Sequence, residues 1–305
     1  MPDLLCLGEP LIEFNRQADG RYLQGFGGDT SNCAIAAARQ GARVGYVTRL
    51  GRDALGGLFR ELWRREGVDA ACVAEGDGHT GVYFVAHGPE GHEFSYLRAG
   101  SAASRMAPQD LPRDALRAAK ILHVSGISQA ISDSAADAVF AAMAEVRAAG
   151  GRVSYDTNLR LKLWPLERAR AIIHAAVALA DIALPGLEDA RALTGLQAPE
   201  AVVDFYLRLG PGVVVLTLGA EGALVATPER REHLPAPQVA AVDATGAGDT
   251  FDGAFLAELL AGRDVFAAGR YAVAAAALST RGYGAVAPMP RRAEVAAFLQ
   301  AGDAG

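Results

Sequence analysis

The sequence predicts an α/β fold: a mostly parallel, doubly wound sheet covered by helices on both faces, with a small β unit set apart from it. Short apolar or β-branched runs alternate along the chain with longer Ala/Leu/Arg stretches of helical period, the pattern of a parallel sheet. One segment breaks the alternation with two strand-like runs and no helix. The length, 305 residues of which 51% are apolar, is enough for a large core.

The elements follow in order. LLCLGE (4–9) reads as the first strand, TSNCAIAAARQG (30–41) as a helix stopped by glycine, VGYVTRLG (44–51) as a strand and ALGGLFRELWRREG (54–67) as a helix with a glycine stop. Thr80 to Arg98, TGVYFVAHGPEGHEFSYLR, reads as a β-hairpin around GPEG, and with the chain at 13–27 it is expected to make a small lid. KILHVSGI (120–127), RVSYDTN (152–158), DIALPG (181–186) and GVVVLTLG (212–219) read as strands. DSAADAVFAAMAEVRAAGG (133–151) and LERARAIIHAAVALA (166–180) lie between them as helices. In DATGAGDTFDGAFLAELLAG, Phe251, Ala254, Phe255 and Leu259 share one helix face, so a helix begins near Gly248. With no repeat, low-complexity segment or interdomain linker, residues 1–305 read as one domain, and the tail QAGDAG is expected to fray.

Bulk properties exclude several functions. Cys6, Cys33 and Cys72 form no CxxC pair and the six histidines form neither HxH nor HExxH, so neither a disulfide framework nor a zinc site is indicated, and a cytoplasmic setting is expected. MPDLLCLGEPLIEF has no basic n-region, and AIIHAAVALADIAL is interrupted by His174 and Asp181, so a signal peptide and a membrane span are not expected. The formal net charge is -6 and no basic cluster is interleaved with aromatics, against nucleic acid as a partner. Lys120 and Lys162 are the only lysines, so anion binding falls to arginines and backbone N–H groups.

The stretch Ala240 to Phe255, AAVDATGAGDTFDGAF, places Gly246 and Gly248 at a helix start, where free N–H groups and the helix dipole favour an anion. Asp249 sits within that cradle, and an acid there also stabilises a helix start by about 0.3–1 kcal/mol. A Walker loop is absent, since no Gly-Lys pair occurs, and a dinucleotide fingerprint fails because Phe251 stands where its third glycine belongs.

These residues carry a resemblance. DATGAGDTFDGAF is similar to the C-terminal signature of the ribokinase-like (PfkB) sugar kinases, and GFGGDTSNCAIAAARQGARVGYVTRLGRDALGG to their N-terminal signature. CLGEPLIEFN, FSYLRAGSAA, LHVSGIS, YDTNLRLKLW and RGYGAVAPMP resemble 2-keto-3-deoxygluconate kinases in particular. The resemblance implies a ribokinase-like three-layer α/β/α fold with a β lid, and an ATP-dependent kinase of a small sugar acid, with Mg2+ and K+ as cofactors. It gives Asp249 the role of base toward the attacking hydroxyl, and Gly246, Ala247, Gly248 and Asp249 that of an anion hole for the transferred phosphoryl.

For the sugar, Gly27 and Gly28 allow close backbone approach and Asn32 both donates and accepts, although GGDTSN also suits an ordinary turn and helix start. Phe94, Tyr96 and Arg98 alternate onto one strand face, and a guanidinium fork matches a carboxylate. The resemblance adds Tyr83, for which lid packing is the alternative, and Asn158 with Arg160, which contacts either the acid sugar or ATP. It assigns Thr217, Gly219 and Gly222 of LTLGAEGALV to the nucleotide, where a plain β-turn serves equally. It assigns Glu188 to a magnesium-linked segment, although Pro185 replaces the usual amide side chain. Asp243 and Thr245, with carbonyls near Arg281 to Gly284, become ligands of a monovalent cation, a turn-stabilising Asp243 being the alternative. His123 reads as a core or sheet-edge residue. A homodimer through the lid is also implied.

Overall fold

The computed structural model describes residues 1–88 and 91–302. The main sheet has the order β14-β13-β12-β11-β10-β9-β1-β4-β5, with β6 also on β4. Its strands are β1 (Leu4–Leu7), β4 (Val44–Gly51), β5 (Val68–Asp69), β6 (Val73–Gly76), β9 (Ile121–Ser125), β10 (Arg152–Asp156), β11 (Ile182–Leu184), β12 (Val213–Thr217), β13 (Ala223–Ala226) and β14 (Arg231–Leu234). From β12 to β5 all pairings are parallel, and β13 and β14 add an antiparallel edge. The six strands read from the sequence all form. LTLGAEGALV joins β12 to β13, the β-turn between two strands that is the alternative to its assignment to the nucleotide.

β1 shows why the sheet is buried on both faces. Leu4 and Cys6 enter one core with the helices Asp29–Arg39, Ala54–Glu66, Ala247–Leu260 and Val265–Ser279. Leu5 and Leu7 enter a second core with Asp133–Ala148, Leu166–Val177 and Pro199–Leu209. An unbroken apolar run is what a strand packed on both faces requires. Local chemistry sets the helix limits: Asp53 accepts from Gly56 N at 2.8 Å at one start, and Gly67 at φ 76° closes that helix in the left-handed conformation.

A second sheet, β3-β2-β7-β8, stands apart, built from β2 (Leu11–Arg16), β3 (Tyr22–Gly27), β7 (Gly81–Gly88) and β8 (Gly91–Leu97). β7 and β8 pair antiparallel, while Pro89 and Glu90 of the GPEG turn lie outside the described residues, as do residues 303–305 of the tail. The chain leaves the main sheet for β2 and β3 just after β1, rejoins it at β4, leaves again for β7 and β8 after β6, and returns through Arg98 to Ser101. From β1 the chain moves to β4 on one side and later to β9 on the other, so strand order reverses at β1/β9. Ligands of open α/β sheets gather beyond the C-terminal strand ends at such a point.

Candidate active site

A cavity of about 830 Å³ opens at that reversal. Its wall includes residues two positions past the strand ends, Glu9 after β1, Ile127 after β9 and Asn158 after β10, together with Tyr83, Phe94 and Tyr96 of the small sheet and Arg98 just beyond it. Of the residues named from sequence, Gly27, Gly28, Asn32, Tyr83, Tyr96, Arg98, Asn158, Arg160, Glu188, Thr217, Thr245, Gly246, Gly248 and Asp249 line it.

Asp249 occupies the first turn of the Ala247–Leu260 helix, which starts at Gly246 in the left-handed conformation, φ 75°. A side chain at Gly246 would press on Ala285, 2.9 Å from its Cβ, which reserves the position for glycine. Asn32 Nδ2 donates to Asp249 Oδ2 at 2.8 Å. Desolvation, reinforced by the Asp29 carboxylate, pushes the Asp249 acid up to about 7, against the lowering influence of Asn32 and Arg160. A base with that affinity gives up and takes protons near neutral pH.

The N–H groups of Gly248 and Asp249 make no hydrogen bond among the described residues, so both are available to an anion. Ala247 differs from the sequence reading. Its N–H donates to Ala244 O at 3.1 Å and it lies outside the cavity lining, because the turn that starts the helix consumes that donor.

Three further assigned residues fall outside the lining. Gly219 and Gly222 form the turn between β12 and β13, and a Cβ on Gly222, at φ 96°, would lie 1.9 Å from Leu234 O; the turn itself demands glycine. Asp243 Oδ1 accepts from Thr245 N at 2.9 Å and Oγ1 at 2.7 Å, while Oδ2 accepts from Gly284 N at 2.9 Å. Both carboxylate oxygens take part in the turn, as the turn-stabilising alternative expects. Pro185 leaves its carbonyl to Thr217 N at 2.9 Å, and Glu188 pairs with Arg191 at 2.6 Å at the cavity rim.

The sugar-side residues are more constrained than exposed side chains would be. Tyr83 donates to buried Glu13, its register partner across β2 and β7, and burial with that carboxylate pushes the phenol up, so it stays protonated. Tyr83, Phe94 and Tyr96 stack, with ring centroids 5.8 Å apart for Tyr83 and Tyr96, and Arg98 lies 5.7 Å over the Tyr96 ring. A Cβ on Gly27 would strike Tyr83 Oη at 2.6 Å, so the glycine makes room for that phenol. Arg160 is half-exposed, bonded to Leu159 O at 2.8 Å and 3.9 Å from Asp189.

Several site residues escaped the sequence reading. Asp29 accepts from Asn158 Nδ2 at 2.9 Å, and Asn158, at φ 24°, is the one non-glycine residue with positive φ among those described. Asp156 and Asp252 also line the cavity, and burial among neighbouring carboxylates raises both well above the ordinary range. His123, 4.0 Å from Asp252, is a buried core residue held neutral by desolvation, its acid pushed down to about 3. Asp29, Asp252 and Glu9 all sit inside the quoted motifs GGDTSN, GAGDTFDGAF and CLGEPLIEFN; a charge within a strand-end or helix-start motif was the signal available.

The family profile described as pfkB family carbohydrate kinase matches residues 1–292. The chain belongs to that family. The kinase is 38% identical to the 2-dehydro-3-deoxygluconokinase of Thermoproteus tenax, over 96% of this chain and 94% of the relative. It is 33% identical to the enzyme of that name from Bacillus subtilis, over 98% and 96%. Among solved structures it resembles a fructokinase from Vibrio cholerae in a fructose-, ADP- and calcium-bound form, with a TM-score of 0.88 and 30% identity over 97% of this chain and 99% of that one. The fold of the kinase is therefore ribokinase-like, and its activity is phosphorylation of a sugar-type substrate. No helix among its described residues is long and apolar enough to cross a membrane.

Proposed function

We propose that the kinase phosphorylates 2-keto-3-deoxy-D-gluconate, the same compound as 2-dehydro-3-deoxygluconate, at its terminal hydroxyl to give the 6-phosphate, using ATP. The observation that carries this reading is Arg98, an arginine set among Tyr83 and Tyr96 in the wall of the cavity that also holds Asp249. A guanidinium is the side chain that reads a carboxylate by geometry, and neutral sugars offer it none.

Asp249 accepts the proton of the terminal hydroxyl as its oxygen bonds to the γ-phosphorus and the bond to the ADP oxygen breaks. The N–H groups of Gly248 and Asp249 receive the charge that builds on the phosphoryl oxygens. Thr217 and Glu188, which line the cavity with Gly186, are the candidates for the nucleotide. A divalent ion carried in on the ATP phosphates would neutralise their charge during transfer. The small sheet acts as a lid, and exposed Leu23 and Leu97 support its outer surface as a dimer contact; a monomer by light scattering would remove that last element.

Fructokinases among the solved relatives favour a neutral sugar as the second reading. An ADP-release assay over 2-keto-3-deoxy sugar acids, fructose, ribose and nucleosides separates the two. Highest kcat/KM on fructose would overturn the sugar-acid reading, and near-normal turnover by Asp249→Asn would overturn the base.

A further inference from the structure

Arg98 does not stand free in the cavity. Its Nε donates to Glu9 Oε2 at 2.7 Å, and its Nη2 lies 2.5 Å from the same oxygen. Ser101 Oγ donates to the other oxygen of Glu9 at 2.5 Å. The Glu9 side chain is 0% exposed and that of Arg98 10% exposed, so the pair is screened from water. Nη1 of Arg98 makes no hydrogen bond among the described residues.

The backbone around this pair is cut to fit it. A Cβ on Gly81 would sit 3.0 Å from Glu9 Oε1, and one on Gly28 would sit 2.4 Å from Glu9 O. Glu9 lies where the chain first leaves the main sheet, and Arg98 and Ser101 lie where it returns from its second excursion. The contact therefore ties the small sheet to the strand end that builds the cavity floor.

A guanidinium presents five N–H bonds in a rigid plane. Glu9 accepts a hydrogen bond from Nε alone; Nη2 is in ion-pair contact with the same oxygen but has no hydrogen-bond partner among the described residues, so Nη1 and Nη2 keep N–H bonds for a second carboxylate. Without Glu9, a long side chain would distribute over several rotamers and lose entropy on each binding event. Arg98 Cζ lies 5.7 Å from the centre of the Tyr96 ring, a cation–π contact, and the Glu9 pair restrains the guanidinium further.

We propose that Glu9 is a specificity-determining positioning residue, whose buried carboxylate holds Arg98 so that its unoccupied edge receives the carboxylate of the substrate. The inference rests on the reading of Arg98 given above and extends it to a residue that touches no substrate.

The test compares wild type, Glu9→Gln, Glu9→Asp and the double variant Glu9→Gln/Arg98→Met. Each is assayed by ADP release on 2-keto-3-deoxy-D-gluconate and on its C1 methyl ester, which keeps every hydroxyl and lacks the charge. Glu9→Gln should raise KM for the acid by about tenfold while kcat falls less than threefold, with little change in KM for the ester. Glu9→Asp, which keeps the charge but retracts it by one methylene, should raise the same KM and carries the test if the glutamine variant does not fold.

An unchanged or lower KM for the acid, or equal rises for acid and ester, overturns the role of Glu9. Failure of the underlying reading shows differently: the double variant would then lose acid and ester to the same extent. If the double variant loses the acid selectively while Glu9→Gln and Glu9→Asp do not, Arg98 stands as the receiver and Glu9 falls.

Discussion

Asn32 and Asp249, 217 positions apart in sequence, meet through a 2.8 Å hydrogen bond from the amide Nδ2 to carboxylate Oδ2. The contact joins the first turns of two helices, Asp29–Arg39 and Ala247–Leu260, which pack against each other across one face of the sheet. It couples the N-terminal glycine motif to the C-terminal one and gives the proposed base its only direct donor among the described side chains.

Removing that donor should change the pH profile. Asn32 lowers the Asp249 acid, so Asn32→Ala should raise it and move the acid limb of kcat to higher pH by about one unit, since a hydrogen bond to a charged group contributes about 1.5–3 kcal/mol and partial exposure to the cavity reduces this. A kcat–pH series from 5.5 to 9 measures it. An unshifted limb would mean that Asp249 is not the group titrating in that range.

Wild type itself should lose turnover as pH falls through about 7, because the base is then protonated. Stability runs the other way. The folded acid binds its proton up to about 7, whereas the unfolded one releases it near 3.8, so the native state holds more protons between those values and stability falls as pH rises through that window. Asp249→Asn should thus be inactive yet melt at higher temperature than wild type at pH 8, with the gain shrinking toward pH 4. Equal melting temperatures at pH 8 would remove the destabilising role of the buried charge.

Gly253 decides how closely the two helices approach. A Cβ there would lie 2.4 Å from Cys33 O and 2.6 Å from Ala36 Cβ, both in the facing helix. Gly253→Ala should cost about 1–3 kcal/mol through overpacking and separate Asn32 from Asp249, lowering kcat more than it raises KM. Chemical denaturation and steady-state kinetics read both effects; wild-type kcat in a destabilised variant would uncouple packing from the site.

Arg98→Met is the obvious test of carboxylate recognition, but the structure adds a cost to it. The substitution leaves Glu9 buried without its partner, and breaking such a pair costs about 3–5 kcal/mol. The variant should melt well below wild type, and Glu9→Gln/Arg98→Met should recover much of the loss while still discriminating against the acid. A double variant no more stable than Arg98→Met alone would show that the Glu9 charge is not what destabilises it.

Much of the architecture could be read from the chain because its signals are local. Apolar runs such as VVVL, helical spacing and glycine stops report strands, helices and ends through backbone geometry and burial within a few residues. The signature around Asp249 is equally local, since a helix start with glycines presents its N–H groups wherever it occurs. The alternation of Phe94, Tyr96 and Arg98 placed all three on one face before any fold was known.

Pairings between distant segments were not legible in this way. Nothing near Arg98 indicates that Glu9 neutralises it, nor does anything near Asp29 show that Asn158 bonds to it, because both contacts depend on how the small sheet and the strand ends come together. Ala247, Gly219 and Gly222 make the same point in reverse: each sits in a motif suggestive of ligand binding, and each has its donor or conformation committed to a turn. Local sequence signals were enough for the kind of fold and the family, and they marked out Asp249 as the candidate base. The direction in which burial moves that acid and the pairing of Arg98 with Glu9 came from the folded arrangement, because desolvation and ion pairing are set by neighbours that the chain brings from elsewhere.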